Sequence, residues 1–221
     1  MSEPAAAASG GSPRGKLSRV AAVAALSFSS GLPLGLVWIA IPDWMRSIGV
    51  DIRVVGLFTL AQAPWTFKFL WSPLMDRFRL PFWGRRRGWI ALAQVALALS
   101  SLALSGVGDR PEAPWAALAL TLAVALSAAT QDIAIDAYAV DVLRKEEHGV
   151  AVGLRTGVYR AAMTLSGGLA IWAAASLGWG AVNLLLGLAY LPLVLVTFRA
   201  PEPEEEPPVR RAGSCGFSGR P

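Results

Sequence analysis

Cysteine and histidine are almost missing from this chain. Cys215 and His148 are the single representatives of each in 221 residues. One cysteine rules out a disulfide framework, and one histidine disfavours a histidine-built metal site. Charge is scarce as well: 16% of the residues are charged, against roughly 25% in a soluble domain. No segment sustains the period-two alternation of membrane strands, so a transmembrane β-barrel is not expected. No nucleophile stands beside a base, no glycine loop is set to cradle phosphate, and no metal-ligating cluster occurs. Neither enzymatic activity nor a cofactor is therefore expected.

What the chain has instead is apolar length. Its residues are 54% hydrophobic, gathered into stretches of about 20, the length a helix needs to cross roughly 30 Å of hydrocarbon. Six spans can be drawn: Val20–Pro42, Val54–Met75, Gly88–Val107, Pro114–Val140, Ala151–Leu177 and Gly180–Phe198. The expected fold class is an all-α membrane protein with six transmembrane helices, since backbone groups in lipid must be satisfied within helices. Residues 1–19, small, polar and basic, read as a disordered cytoplasmic extension. Residues 20–199 form the membrane domain. Residues 200–221, rich in Pro, Glu and Gly, read as a second disordered cytoplasmic tail. The first apolar run continues to about Ile41 with no small-residue cleavage site before its polar end, which favours a retained span over a cleaved signal.

The basic residues fall mostly in one set of loops. Arg14, Lys16 and Arg19 are followed by Arg77, Arg79 and Arg85 to Arg87, then by Arg144 and Lys145, then by Arg199, Arg210, Arg211 and Arg220. The opposite loops carry Arg46, Arg53 and Arg110. That bias places both termini in the cytoplasm. The net charge of +5 is thus a set of loop anchors and not a nucleic-acid surface. Trp44, Trp83, Trp89, Trp115 and Trp179 lie near span ends, where an interfacial aromatic belt would sit.

Five ionisable residues fall inside the spans: Lys68, Asp132, Asp136, Arg155 and Arg160. An ionised group at a helix centre costs about 2.5–3.5 kcal/mol on insertion scales, so the five together oppose insertion by roughly 10 kcal/mol unless they face protein or a wet cavity. Counted from the span ends at 1.5 Å per residue, Lys68, Asp132 and Arg160 share a depth of about 12–14 Å, with Asp136 and Arg155 at about 6–8 Å. Asp132 and Asp136 share one helix face, as do Arg155 and Tyr159. The pattern suits a polar layer that holds an anion or relays protons, or structural ion pairs that lock helices together. Two carboxylates on one face can share a proton. Gln62 and Gln131 can add hydrogen bonds to the layer or serve as interhelical ties.

Gly31-Leu32-Pro33-Leu34-Gly35 interrupts the first span. It is read either as a break that exposes backbone near a substrate or as a kink with close packing. Gly167-Gly168 reads as a packing notch, and Pro73 as a bend or end of the second span. The stretch from Lys68 to Trp89 is the most specific of all. A span closes on Asp76-Arg77, a short aromatic turn follows, and Gly84-Arg85-Arg86-Arg87 opens the next span. An acid at one helix end facing a basic cluster at the next can latch two helices together.

These residues resemble the major facilitator superfamily, whose loop between its second and third helices carries a similar motif. Here six residues, Phe78 to Trp83, stand where one is usual. More narrowly, Ser30–Leu36, Phe67–Arg77, Pro81–Trp89, Thr130–Leu143 and Tyr159–Trp172 look like the AmpG-type muropeptide permeases. Related acetyl-coenzyme A transporters share parts of this pattern. The resemblance implies a proton-driven importer of anhydromuropeptides in a bacterial inner membrane, with muropeptide, protons and membrane lipids as partners and no nucleic acid. By position, Asp76, Arg77, Gly84 and Arg85 to Arg87 would form a cytoplasmic gate. Lys68, Asp132, Asp136, Arg155, Tyr159, Arg160, Gln62 and Gln131 are the candidate substrate or proton pathway. Members of the superfamily have at least twelve helices, so six make one half of the bundle. A separate second half, a homodimer and a half-bundle without transport activity are all compatible with that.

Overall fold

The structure, a computed structural model, describes residues 13–78, 84, 86–107 and 113–201. Residues 1–12 of the expected extension, Arg79, Trp83, Arg85, Arg110 and the tail from residue 202 lie outside them, whereas residues 13–19, expected to be disordered, already belong to the first helix. Among the described residues every regular element is helical.

Six arms follow one another. Arm α1 is an α-helix over Pro13–Gly35, passes through a π turn at Leu36–Ala40 and resumes over Ile41–Ser47. Arm α2 is a chain of short pieces: Ile52–Leu57, a 3-10 turn at Phe58–Gln62, Ala63–Phe67, a second 3-10 turn at Lys68–Leu70, and Ser72–Arg77. Arm α3 covers Arg87–Val107 and α4 covers Pro114–Val142. Arm α5 covers His148–Thr164, a π turn at Leu165–Leu169, and Ala170–Leu177. Arm α6 covers Trp179–Arg199.

Four of these, Gly15–Ser47 within α1 together with α3, α4 and α6, are long and apolar enough to cross a membrane alone. The other two depart from the expected plain spans for visible reasons. In α2, Pro64 and Pro73 each sit in the first turn of a short helix. A proline has no N–H to give to the preceding turn, so the chain tightens there into 3-10 geometry. Arm α5 carries Arg155 and Arg160 and is widened by its π turn.

The glycine–proline stretch of α1 is not a gap. The helix runs on through Pro33, and residues 31–35 are all buried. Gly31 and Gly35 instead let α5 approach: a Cβ at Gly31 would overlap the Tyr159 carbonyl, and one at Gly35 would overlap the Met163 carbonyl and the Ser166 hydroxyl. Gly167 answers from α5, where a Cβ would stand 2.8 Å from Ile39 Cδ1, whereas Gly168 faces open space. The two π turns thus meet across the α1–α5 seam. Small residues that admit a neighbouring backbone are how helices associate in lipid, where apolar burial alone gives little drive. Arms α3 and α6 form a second close seam at Gly187, whose Cβ would lie 3.0 Å from Leu102 Cγ and 3.2 Å from the Ala98 carbonyl. Gly178, with φ +77°, provides the sharp reversal from α5 into α6.

Two apolar clusters fill the interior. One contains Trp44, Phe58, Leu97, Val124 and Tyr190. The other contains Leu26, Met75, Ile90, Ile135 and Tyr138, toward the end of the bundle that carries Arg86 and Glu147. Between them lies a polar layer. Trp44 and Trp179, expected in an interfacial belt, are buried instead. Their rings stack at 5.8 Å and 24°, with Trp179 Nε1 donating to Ser47 Oγ at 3.2 Å. Trp115 is exposed, together with a broad set of leucines on α3, α4 and α6, as contact with acyl chains requires.

Candidate functional site

The polar layer has a tie and an open side. The tie is uncharged. Gln94 Nε2 on α3 and Gln131 Nε2 on α4 both donate to Ser29 Oγ on α1, at 3.0 and 2.8 Å, and Thr197 Oγ1 on α6 donates to Gln94 Oε1 at 2.8 Å. All four residues are fully buried. Of the two readings open for Gln131, this is the geometry of an interhelical tie. Gln62 closes the first 3-10 turn of α2, half-buried, and its side chain makes no hydrogen bond with a described residue.

On the open side, α1, α2, α4 and α5 bring their ionisable residues together. Asp132 is 7% exposed. Its Oδ1 accepts from the Ser30 hydroxyl on α1, and its Oδ2 accepts from Trp65 Nε1 on α2 at 3.0 Å. One helical turn further on, Asp136 is paired with two cations: Lys68 Nζ stands 3.4 Å from Oδ2, and Arg155 of α5 holds Oδ1. The side chains of Lys68, Asp136 and Arg155 retain 34, 43 and 31% exposure, so this triad faces outward from the core. Tyr159 lies within electrostatic reach of Asp132 and Arg155.

This corrects the depth count. Lys68 was expected level with Asp132, but its Nζ pairs with Asp136, within the reach of a long flexible side chain, and Trp65 Nε1 stands beside Asp132. Arg160 was expected in the same level. It points to the exposed face of α5 and enters no ion pair among the described residues.

A groove of about 640 Å³ between α2 and α4 joins this triad to the basic end of the bundle; Lys68, Ser72, Asp76, Arg86, Asp136 and Asp141 supply its polar lining. Gly84 turns the chain with φ +75°, and Arg86 then reaches two acids, Asp76 Oδ1 at 2.6 Å and Asp141 Oδ2 at 2.8 Å. Burial works against the charge of Arg86, but its hydrogen bonds to Asp141 and Asp76 outweigh that and hold its pKa above the ordinary arginine value. Asp141 is the partner that sequence reading missed: the acid at the end of α4 closes the clamp as much as the one at the end of α2. The other arginines of the motif do different work. Arg87 Nη1 donates to the carbonyls of Phe198 and Ala200, at 3.2 and 3.0 Å, capping the C-terminus of α6. Arg77 is exposed and pairs with no described acid, and Arg85 lies outside the described residues.

Sequence reading also missed Glu147. It lies in a short 3-10 turn, Lys145–Glu147, before α5 and accepts from Arg19 Nε at 3.1 Å and from the Arg144 N–H at 3.1 Å. The Arg19 hydrogen bond first, against an opposing burial effect, and then the Arg144 N–H lower its pKa to about 2. Among the described residues no cluster has the composition to hold a metal ion.

Residues 23–216 match the family model of the Major Facilitator Superfamily. The chain is 40% identical over 192 residues to the anhydromuropeptide permease of Escherichia coli strain K12, covering 86% of this chain and 39% of that protein. It is 33% identical over 153 residues to putative transporter AmpG 4 of Rickettsia felis, covering 67% and 36%. It is 28% identical over 184 residues to putative transporter AmpG 3 of Rickettsia typhi, covering 80% and 44%. The chain therefore spans about two fifths of the length of the curated relatives it matches.

Proposed function

Since the chain belongs to the Major Facilitator Superfamily, we propose that it forms the first half of a proton-coupled carrier that imports anhydromuropeptides across a bacterial inner membrane. Its termini are cytoplasmic in this reading. The substrate class is that of the Escherichia coli relative, and the basic-loop bias supports the orientation. A second six-helix half, or a second copy of this chain, supplies the facing wall.

The observation that carries the proposal is the unequal furnishing of two carboxylates on one face of α4. Asp136 holds two cations, an arrangement with one positive charge in excess that suits an anionic substrate group. Asp132 holds neutral donors, so it can gain and lose a proton without breaking an ion pair. Environments that separate two neighbouring acids in this way divide their roles. The Asp76–Arg86–Asp141 clamp ties α2 to α4 at the cytoplasmic end and serves as the gate, with Arg77 and Arg85 as candidate outer contacts. Arg160, on the exposed face of α5, is the candidate contact for the second half.

Uptake of labelled anhydromuropeptide into membrane vesicles tests this. With the native chain, uptake is driven by an inward proton gradient. With Asp132→Asn, the gradient dependence disappears. Unchanged pH-dependent uptake in that variant removes the proton role of Asp132. Vesicles in which this chain is the only carrier, compared with vesicles that also hold a second half, separate an autonomous dimer from a split carrier.

A further inference from the structure

Resting on the proton role of Asp132 proposed above, we infer that Ser30 and Trp65 are positioning residues that set the pH at which this carboxylate exchanges its proton. Each oxygen of Asp132 has one donor, and the donors come from different arms: the Ser30 hydroxyl of α1 on Oδ1 and Trp65 Nε1 of α2 on Oδ2 at 3.0 Å. Hydrogen bonds to the charged form of a carboxylate favour that form, and in a buried site they are worth more than in water.

The two donors are not equivalent. An indole N–H can only donate, whereas a hydroxyl donates or accepts. Trp65 therefore keeps Oδ2 as an acceptor in both states. Ser30 can turn over, so the proton, taken from water at the open side, binds Oδ1, and Ser30 changes from donor to acceptor there. The ring of Trp65 has little freedom to leave: Trp38 meets it edge-on, with centroids 6.3 Å apart and planes at 89°. Its placement follows from the broken helix. With Pro64 starting the piece Ala63–Phe67 and a 3-10 turn following at Lys68, Trp65 and Lys68 stand three residues apart on one side of α2. They address Asp132 and Asp136, four apart on α4.

The charged and titratable groups facing Asp132 are Lys68 from α2 and Arg155 and Tyr159 from α5, with Asp136 on its own arm. The contacts of Asp132 on α1 are through serine. Lys68 and Arg155 act on Asp132 through space while paired with Asp136, and Ser30 and Trp65 are the two groups that donate to it directly.

The test uses the purified chain in lipid nanodiscs, so it does not depend on transport. The infrared band of the buried protonated carboxyl, separated in frequency from those of the solvent-exposed acids, is followed against pH in the native chain and in S30A, S30T, W65F and D132N. The band is absent in D132N. Its midpoint rises by about one pH unit in S30A and in W65F, about tenfold in proton affinity, and S30T restores the native value. Should the midpoints in S30A and W65F match the native one while D132N lacks the band, the positioning role is wrong and the proton role of Asp132 stands. A band that persists in D132N overturns both. If W65F does not fold, the serine pair S30A and S30T decides alone.

Discussion

Gly35→Ala separates the helices that carry the site, and its cost can be reasoned from the seam itself. A Cβ at Gly35 overlaps the Met163 carbonyl and Ser166 Oγ and stands 2.8 Å from the Gly167 N. Two of these three atoms are backbone, so no rotamer change relieves the clash and α5 must move away from α1. Overpacking costs typically 1–3 kcal/mol where side chains can shift, and an obstructing backbone puts this case at about 3 kcal/mol. Gly157, on the same pair of arms, is the control. A Cβ there meets nothing within 4 Å, and alanine is favoured over glycine in a helix interior by about 0.8–1.0 kcal/mol. The two identical substitutions therefore act with opposite sign. For a chain of this size 1 kcal/mol moves Tm by about 2–4 °C. Gly35→Ala is expected to lower Tm by about 6–12 °C, and Gly157→Ala to raise it by about 2–4 °C, followed by far-UV circular dichroism of the purified chain in one detergent. A Gly35→Ala variant that melts within a degree of the native chain would show that α1 and α5 do not meet at this glycine. So would Gly157→Ala destabilising as much as Gly35→Ala.

Two further measurements probe the basic end. Glu147 has its pKa lowered to about 2 from 4.5, so its pairing with Arg19 stabilises the fold fully above about pH 4.5 and is lost as pH falls toward 2. Glu147→Gln should remove that part of the acid-induced fall in Tm, and an unchanged acid limb in the variant speaks against the pair. Arg86→Ala breaks both contacts of the clamp, yet the Asp76 and Asp141 side chains are 53 and 37% exposed, so solvent screening keeps the cost to about 1 kcal/mol. Tm should drop by only a few degrees; a collapse of the fold would mean that the clamp is a structural keystone and not a gate.

Much of this fold was readable from the sequence because the membrane restricts the choices. Apolar length gave the arms, and Gly167 read as a packing notch, while Gly31–Gly35 stayed open between a break and a close-packed kink until its partner on α5 was located. What the sequence did not show is how the arms deform. Pro64 and Pro73 turned α2 into pieces with 3-10 joints, Lys68 paired with Asp136 in place of Asp132, and Trp65 stood beside Asp132. Neither shift follows from a uniform rise of 1.5 Å per residue. Trp44 and Trp179 read as belt residues because span ends carry no sign of which tryptophans find each other. Asp141 and Glu147 were passed over because each is an ordinary loop-end acid until its arginine is located. Ser30 had a weaker but usable signal: it stands beside Ser29, and Gln131 stands beside Asp132, so one polar pair on α1 faces another on α4.

The way each arm is held bears on which can move. Arm α1 is bound to α3, α4 and α6 through the neutral Ser29–Gln94–Gln131–Thr197 tie and to α5 through glycines, contacts that do not depend on pH, and it meets carboxylates as well, Asp132 through Ser30 and Glu147 through Arg19. Arm α2 is held differently. Between Ala61 and Met75 none of its residues is buried. Its polar attachments to α4 are Trp65 to Asp132 and Lys68 to Asp136, with Asp76 sharing Arg86 with Asp141. All three run through carboxylates. Neutralising one carboxylate weakens a contact to α2 and leaves the α1–α3–α4–α6 tie untouched. If Asp132 takes up a proton as proposed, Ser30 of α1 and Trp65 of α2 both lose a charged acceptor, and α2 is the arm that also reaches the clamp at the far end of the same groove.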